Sequence, residues 1–295
     1  MLPSLTREEI ELQHALQAHV EQIAGRIGEH NVDHPEQLEA AAQYIESQLS
    51  TLGYTTHRQS ISRDMAVSNI ETEISGSSKP SEIVVIGAHY DSVVGTAGAN
   101  DNTTGVAALL ELARLFRGRQ FPRTLRFVFF VNEEPPWFQK SEMGSLVYAR
   151  RSRAQQENVV AMLSLETIGY YSSQSNSQQY PAGLGLFYPD RGNFVAFVGN
   201  VNSARMLRRS IESFRNTAQF PSIGAAVPER IPGAGWSDHW SFWQQGYPAI
   251  MVTDTAIFRY PHYHLASDTP DKINYESMVR VVHGLESVIE DLASN

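Results

Sequence analysis

No cysteine occurs among the 295 residues. That absence excludes disulfides, thiolate nucleophiles and cysteine-based zinc sites, and leaves histidine and carboxylates as the side chains able to hold a metal. Positive charge is scarce too: 23 Lys and Arg stand against 32 Asp and Glu, a formal net charge of −9. A general electrostatic affinity for nucleic acid or an anionic membrane is therefore not expected. No apolar run is long enough to form a transmembrane segment. The start, MLPSLTREEIELQHAL, is charged and amphipathic, without the basic and apolar regions of a signal peptide. Compartment stays open, a secreted or periplasmic one after removal of a leader included, and these features do not encode an oligomeric state. H-E-x-x-H, Walker A, G-x-G-x-x-G and G-x-S-x-G patterns are all missing, so the run Ser237-Asp238-His239 lacks the context of a serine hydrolase.

What is present is an alternation of strand-like and helix-like stretches. Apolar residues recur at helical spacing over 6–53, with Asn31 to Pro35 as the break, predicting two opening helices. Short β-like runs follow at 54–61, 67–74, 82–88, 125–131, 159–165 and 249–253. Those at 83–88, 125–131 and 249–253 are apolar without alternation, as strands buried on both faces are. Helical patterns lie at 104–116, 141–151, 201–214, 238–245 and 275–292. The expected fold is a three-layer α/β/α single domain over 1–295 with a mixed, mostly parallel central sheet. Ser172 to Gln179 (SSQSNSQQ) is of low complexity and reads as a mobile surface loop.

Ligands of such sheets gather beyond the carboxyl ends of the strands. His89, the pair Glu133-Glu134, and Glu166 each follow a predicted strand at once. In His89-Tyr90-Asp91 the two polar side chains share a face, so Asp91 is positioned to accept the second ring N–H of His89; a plain polar loop is the alternative. Asp101 lies in GANDNTTG, where Thr103 or Thr104 can cap the next helix and two carboxylate oxygens are free to bridge cations. Adjacent Glu133 and Glu134 point different ways, so one can coordinate while the other takes a proton, or both can be solvated. Glu166 needs a partner at the edge of a buried strand, a metal or a surface arginine. Near the C-terminus, Asp238-His239 and His262-Tyr263-His264 add imidazoles, and Asp268 or Thr269 is expected to start the last helix.

Together GAHYDSV, GANDNTTGVAALLELAR, VFFVNEE with MGS, SLETIGYY, SDHWSFWQQGYPAI and YHLASDTPDKI resemble the co-catalytic zinc exopeptidases. That family includes bacterial leucyl aminopeptidases, glutamate carboxypeptidase and glutaminyl cyclases, and the resemblance runs from about His19 to Ile289. It implies a peptide substrate and two zinc ions per chain: His89 and Glu166 on one, Glu134 and His264 on the other, Asp101 bridging. Glu133 matches the general base, and Tyr263 is a candidate donor to the oxyanion. Asp91, Asp238 and His239 fall in supporting or substrate-contact roles. A cis peptide after the bridging aspartate, here Asp101-Asn102, is also implied. Many aminopeptidases of this group carry aspartate at the Glu166 position, whereas glutamate there also occurs in carboxypeptidases of the fold. The expected activity is N-terminal peptide hydrolysis, with single-zinc glutaminyl cyclisation, carboxypeptidase action or a non-catalytic binding role as alternatives.

Overall fold

The inner strands follow the apolar runs closely. The computed structural model describes residues 2–181 and 183–295. Its strands are β1 (His57–Ser60), β2 (Ser68–Ile74), β3 (Lys79–His89), β4 (Arg123–Phe130), β5 (Asn158–Glu166), β6 (Val195–Gly199), β7 (Ser222–Ala226) and β8 (Ala249–Thr253). They form one eight-stranded sheet in the order β1-β2-β4-β3-β5-β8-β6-β7. The four inner strands β4, β3, β5 and β8 run parallel, β6 pairs antiparallel with β8, and β1 and β2 close the other side antiparallel. The carboxyl ends of the parallel strands therefore open on one edge of the sheet. β6 and β7 were not expected from the sequence: each has five residues, and Gly199, Gly224 and the alanines of β7 weaken the β pattern.

The helices are α1 (Arg7–Val20), α2 (Pro35–Thr51), α3 (Thr104–Phe116), α4 (Gly144–Ala154), α5 (Ala204–Thr217), α6 (His239–Trp243) and α7 (Tyr275–Ser294). Thr6 and Glu9 form a capping box at the start of α1, which satisfies two backbone amides that a helix end otherwise leaves free. α1 continues into a π-helical stretch, Glu21–Ile27, ended by Gly28. Alternation along β3 explains the layers: Val84, Ile86 and Ala88 enter the core shared with α1, α2, α3, α5 and α7, while Ile83 and Val85 enter a smaller core with Tyr148 of α4 and Phe242 of α6. Both faces of the sheet are thus covered, in a three-layer α/β/α arrangement.

Two expectations about helix starts are corrected. Neither Asp268 nor Thr269 begins the last helix; α7 starts at Tyr275, with the Asn274 side chain accepting from the Ser277 amide, and Thr269 precedes only a short helical turn, Pro270–Lys272. Neither Thr103 nor Thr104 caps α3 through its side chain; the Asn102 Oδ1 accepts the Gly105 amide at 3.3 Å instead. Gly105 is required there, because a Cβ would lie 2.5 Å from both Asn102 Oδ1 and the Leu165 carbonyl.

Candidate metal centre

Five chain segments bring their acidic and imidazole groups to the carboxyl edge of the sheet. His89 is the last residue of β3, Glu166 the last of β5, and Glu133 and Glu134 follow β4. Asp101 comes from the turn between β3 and α3, and His264 from the loop after β8. Asn132 (φ 61), Thr167 (φ 45) and His264 itself (φ 56) are left-handed non-glycine residues beside or within this group. Such conformations cost about 1–3 kcal/mol each and persist where surrounding structure over-determines them. The Asp101–Asn102 peptide is cis.

The central relationship is the division of the Asp101 carboxylate. Oδ1 lies 3.3 Å from His89 Nε2, and Oδ2 lies 3.1 Å from His264 Nε2. Glu166 Oε2 is 3.3 Å from His89 Nε2, and Glu134 Oε2 is 3.4 Å from His264 Nε2. Glu133 Oε2 stands 3.9 Å from His89 Nε2. His89, Asp101 and Glu166 can each offer an atom within 4.8 Å of the others, and so can Asp101, Glu134 and His264. His89 Nε2, His264 Nε2 and Glu134 Oε1 are buried without a hydrogen-bond partner. Close donor atoms that converge yet do not hydrogen-bond one another fit divalent cations, and nitrogen and carboxylate oxygen suit zinc among others.

In the metal-free protein the crowding displaces the acidities of Asp101, Glu133, Glu134, Glu166, His89 and His264. Burial, then the neighbouring Asp101 charge, pushes Glu134 up to about 8. Burial also raises Glu133 well above the carboxylate range, with Glu134, Glu166 and Asp238 adding repulsion and His89 opposing. Asp101 moves the other way: burial would raise it, but the His264 and His89 imidazoles hold it far below the ordinary value. His264 is lifted to about 10 by Asp101 and Glu134, against the effect of burial.

The expected His89–Asp91 bond is not made by the carboxylate. His89 Nδ1 donates to the Asp91 backbone carbonyl at 3.0 Å, while the carboxylate oxygen is 3.6 Å away. Asp91 instead accepts the Glu133 and Glu134 amides, one on each oxygen at 3.1 Å, and so ties the β3 end to the β4 end. Other side chains make similar ties. Asn102 Oδ1 also accepts the Thr167 amide at 3.0 Å. Asp268 accepts the Asn100 and Asp101 amides at 2.8 and 3.1 Å and the Tyr260 hydroxyl at 2.7 Å. Asp254 accepts the Tyr170 amide at 2.8 Å and the Asn100 side chain at 2.9 Å. The Ser237 hydroxyl donates to Glu166 Oε2 at 2.7 Å.

Asp254 and Asn100 were not singled out from the sequence, because backbone amide partners leave no pattern of residue types. Asp238 is fully buried, and burial pushes it up to about 7. His239 sits apart from the cluster's close contacts: Nε2 donates to the Ala234 carbonyl at 2.7 Å, and its ring meets Trp243 edge-on at 4.5 Å. Tyr263 stacks on the His264 ring at 3.9 Å, with no hydrogen bond to its hydroxyl among the described residues. Beside Glu166 and Tyr263 opens a cavity of about 110 Å³. Its walls are chiefly apolar, including Ala196, Val198, Met251, Ile231 and Trp236, and no lysine or arginine lines it.

A three-layer α/β/α fold with an imidazole and carboxylate cluster at the carboxyl edge of its parallel strands defines a hydrolase-like class of protein. Residues 69–289 match Peptidase family M28, and the chain belongs to that family. The uncharacterized protein YfbL of Escherichia coli is 36% identical over 98% of this chain and 90% of its own. Leucine aminopeptidase 1 of Arthroderma otae is 26% identical over 73% of this chain and 56% of its own length. The chain thus spans little more than half of that aminopeptidase. Among solved structures, LapB from Legionella pneumophila superposes with a TM-score of 0.76 at 18% identity, over 98% of this chain and 75% of its own. A glutaminyl cyclase from Fimbriiglobus ruber gives 0.68 at 21% identity, over 94% of each chain. At these identities the likeness to the solved structures is one of fold.

Proposed function

We propose that the protein is a zinc aminopeptidase, hydrolysing N-terminal peptide bonds with two zinc ions and Glu133 as general base. The reading rests on one observation above all: the two oxygens of Asp101 face two different imidazoles, at 3.3 and 3.1 Å. His89 and Glu166 would hold one ion and Glu134 and His264 the other, with Asp101 shared. Bound zinc would supply Lewis acidity, polarising a carbonyl and acidifying water.

The remaining work falls to the chain's own groups. Glu133 is buried at the cluster's edge, its amide fixed by Asp91 and its Oε2 3.9 Å from His89 Nε2, a position that suits taking a proton from the attacking water. The same carboxyl then returns the proton to the leaving amine. The Tyr263 hydroxyl is free to donate to the oxyanion that develops on the scissile carbonyl. Apolar cavity walls next to Glu166 suit the first side chain of a peptide, and Glu166 suits its ammonium group. A carboxypeptidase would instead need a cation for the terminal carboxylate. Arg259 is buried with its Nε on Gln178 and its Nη1 on the Phe194 carbonyl, and Arg205 and Arg230 do not line the cavity.

The test is to incubate zinc-loaded protein with peptides blocked at either end and follow products by mass spectrometry, including one peptide with N-terminal glutamine. Stepwise release that stops on N-terminal acetylation supports the reading. Cleavage that survives acetylation overturns the aminopeptidase, and pyroglutamate formation without hydrolysis turns the reading to a cyclase.

A further inference from the structure

The low-complexity stretch read as a surface loop contains a buried, fully engaged side chain. Gln178 is 4% exposed. Its Oε1 accepts from Arg259 Nε at 2.7 Å, and its Nε2 donates to the Thr255 hydroxyl at 2.9 Å and to the Gln179 carbonyl at 2.8 Å. The adjoining Gln179 amide donates to the Phe258 carbonyl at 2.7 Å. At the far end of the same segment, Arg259 Nη1 donates to the Phe194 carbonyl at 2.8 Å, and its guanidinium lies 4.5 Å from the Phe194 ring centroid. Gly192 packs so closely that a Cβ would sit 2.6 Å from Arg259 Nε. The segment from Gln178 to Phe194 is therefore held at both ends by one buried arginine.

Between these ends the segment supplies the outer wall of the apolar cavity through Tyr180, Pro181 and Tyr188. The Tyr180 and Tyr188 rings stack at 5.6 Å, the Tyr180 hydroxyl donates to the Pro189 carbonyl at 2.6 Å, and the Tyr188 hydroxyl reaches the Gly224 carbonyl of β7 at 3.4 Å. The wall thus closes both on itself and on the edge strand. The other walls mix small residues, Ala196, Ala225, Gly233 and Ala234, with larger ones of the strands and loops, Val198, Ile231, Met251 and Trp236. The position of the two tyrosines therefore contributes, with these fixed walls, to how much space remains. A cavity of about 110 Å³ compares with the roughly 150 Å³ apolar cavity that takes up benzene.

We propose that the Gln178–Arg259 pin sets the size of apolar side chain the cavity accepts, a branched aliphatic group or a single ring, by holding the Tyr180–Tyr188 wall in place. The inference rests on the aminopeptidase reading of the neighbouring cluster. Gln178 and Arg259 touch no substrate in this arrangement; they are positioning residues for a wall that does.

The experiment compares wild type with Gln178→Ala and Gln178→Glu on amides of alanine, leucine and phenylalanine. Gln178→Glu keeps an acceptor for Arg259, whereas Gln178→Ala removes it. For Gln178→Ala, KM for the leucine and phenylalanine substrates is expected to rise roughly tenfold, the scale of losing part of an apolar pocket. Its kcat, its zinc content and both constants for the alanine substrate are expected to stay within about twofold of wild type, and Gln178→Glu to recover most of the loss. A second readout needs no metal: titrating metal-free protein with phenethylamine and with ethylamine, followed by the fluorescence of Trp236 at the cavity wall. Phenethylamine binding is expected to weaken in Gln178→Ala and in Tyr188→Ala, with ethylamine unaffected. Equal changes for all three substrates, or unchanged phenethylamine binding in Tyr188→Ala, overturns the inference. If wild type hydrolyses none of the amides, the aminopeptidase reading fails, and the amine titration still decides whether the pinned wall selects by size. Tyr188→Ala also serves if Gln178→Ala does not fold.

Discussion

Asp268 accepts the backbone amide of Asp101 at 3.1 Å, so the loop that carries His264 also grips the turn that carries the shared carboxylate. Its second oxygen holds the Asn100 amide and the Tyr260 hydroxyl. Removing this carboxylate frees Asp101 without touching any proposed ligand. Asp268→Ala is expected to weaken zinc binding roughly tenfold to a hundredfold, the usual scale for a group that orients metal ligands. Competition with a chromogenic chelator measures this, and unaltered affinity would show that the turn holds its shape alone.

Glu133 and Glu134 are neighbours with different expected effects. Glu133→Gln is expected to lower kcat by roughly a hundredfold to ten-thousandfold while zinc content stays near that of wild type. Glu134→Gln is expected to lose zinc as well. Steady-state kinetics beside metal analysis separates the two, and substantial turnover by Glu133→Gln would refute the base.

Zinc removal bears on stability as well as activity. Glu133, Glu134 and Glu166 are buried close together, and burial heads the causes that raise each of them. An ion that binds only the folded chain adds about 4 kcal/mol when present at a thousand times its dissociation constant. Chelation is therefore expected to lower the thermal midpoint by several degrees, reversibly on adding zinc back, as differential scanning calorimetry would record.

Asp254 offers a pH test at a group that is not itself a proposed ligand. Burial pushes its carboxyl up to about 7, although Arg259 and the Asn100 and Tyr170 hydrogen bonds pull it down. The folded state keeps a proton that the unfolded chain releases near pH 4, so this group makes stability fall as pH rises from about 4 to about 7. Asp254→Asn is expected to remove that part of the slope. Urea unfolding of metal-free wild type and variant at about pH 4.5 and about pH 7.5 gives the comparison, and parallel curves would place the Asp254 carboxyl in its ordinary range.

Much of this arrangement was legible from residue types alone. The inner strands announce themselves as apolar runs, and each is followed by its polar residue, so His89, Glu133, Glu134 and Glu166 could be put at one edge before any coordinates. What escaped was the partnering. Asp91 looked like a companion of the His89 ring because spacing puts both on one face, yet its carboxylate goes to two amides 42 and 43 residues away. Asp268 looked like a helix start for a similar reason: an aspartate before Thr-Pro reads as a cap, and its amide partners lie 167 and 168 residues distant. Gln178 was hidden in a polar stretch, where nothing distinguishes a buried amide from a solvated one. Peptide N–H groups are the same at every position, so their partners cannot be read from sequence patterns.

That sameness gives the braces around the loops that carry the proposed ligands a one-sided tolerance to mutation. On the accepting side, Asp91, Asn102, Asp254 and Asp268 each depend on a particular side chain, and most replacements remove the bond. On the donating side, the bonds from Thr167 to Asn102 and from Tyr170 to Asp254 use only the main chain. Of the replacements there, proline alone lacks the needed N–H. Where the donor is neither a proposed ligand nor the proposed base, as at Tyr170, drift in a lineage of such chains should therefore run more freely than at the acceptors, and a saturation library scored for retained zinc binding would display that asymmetry.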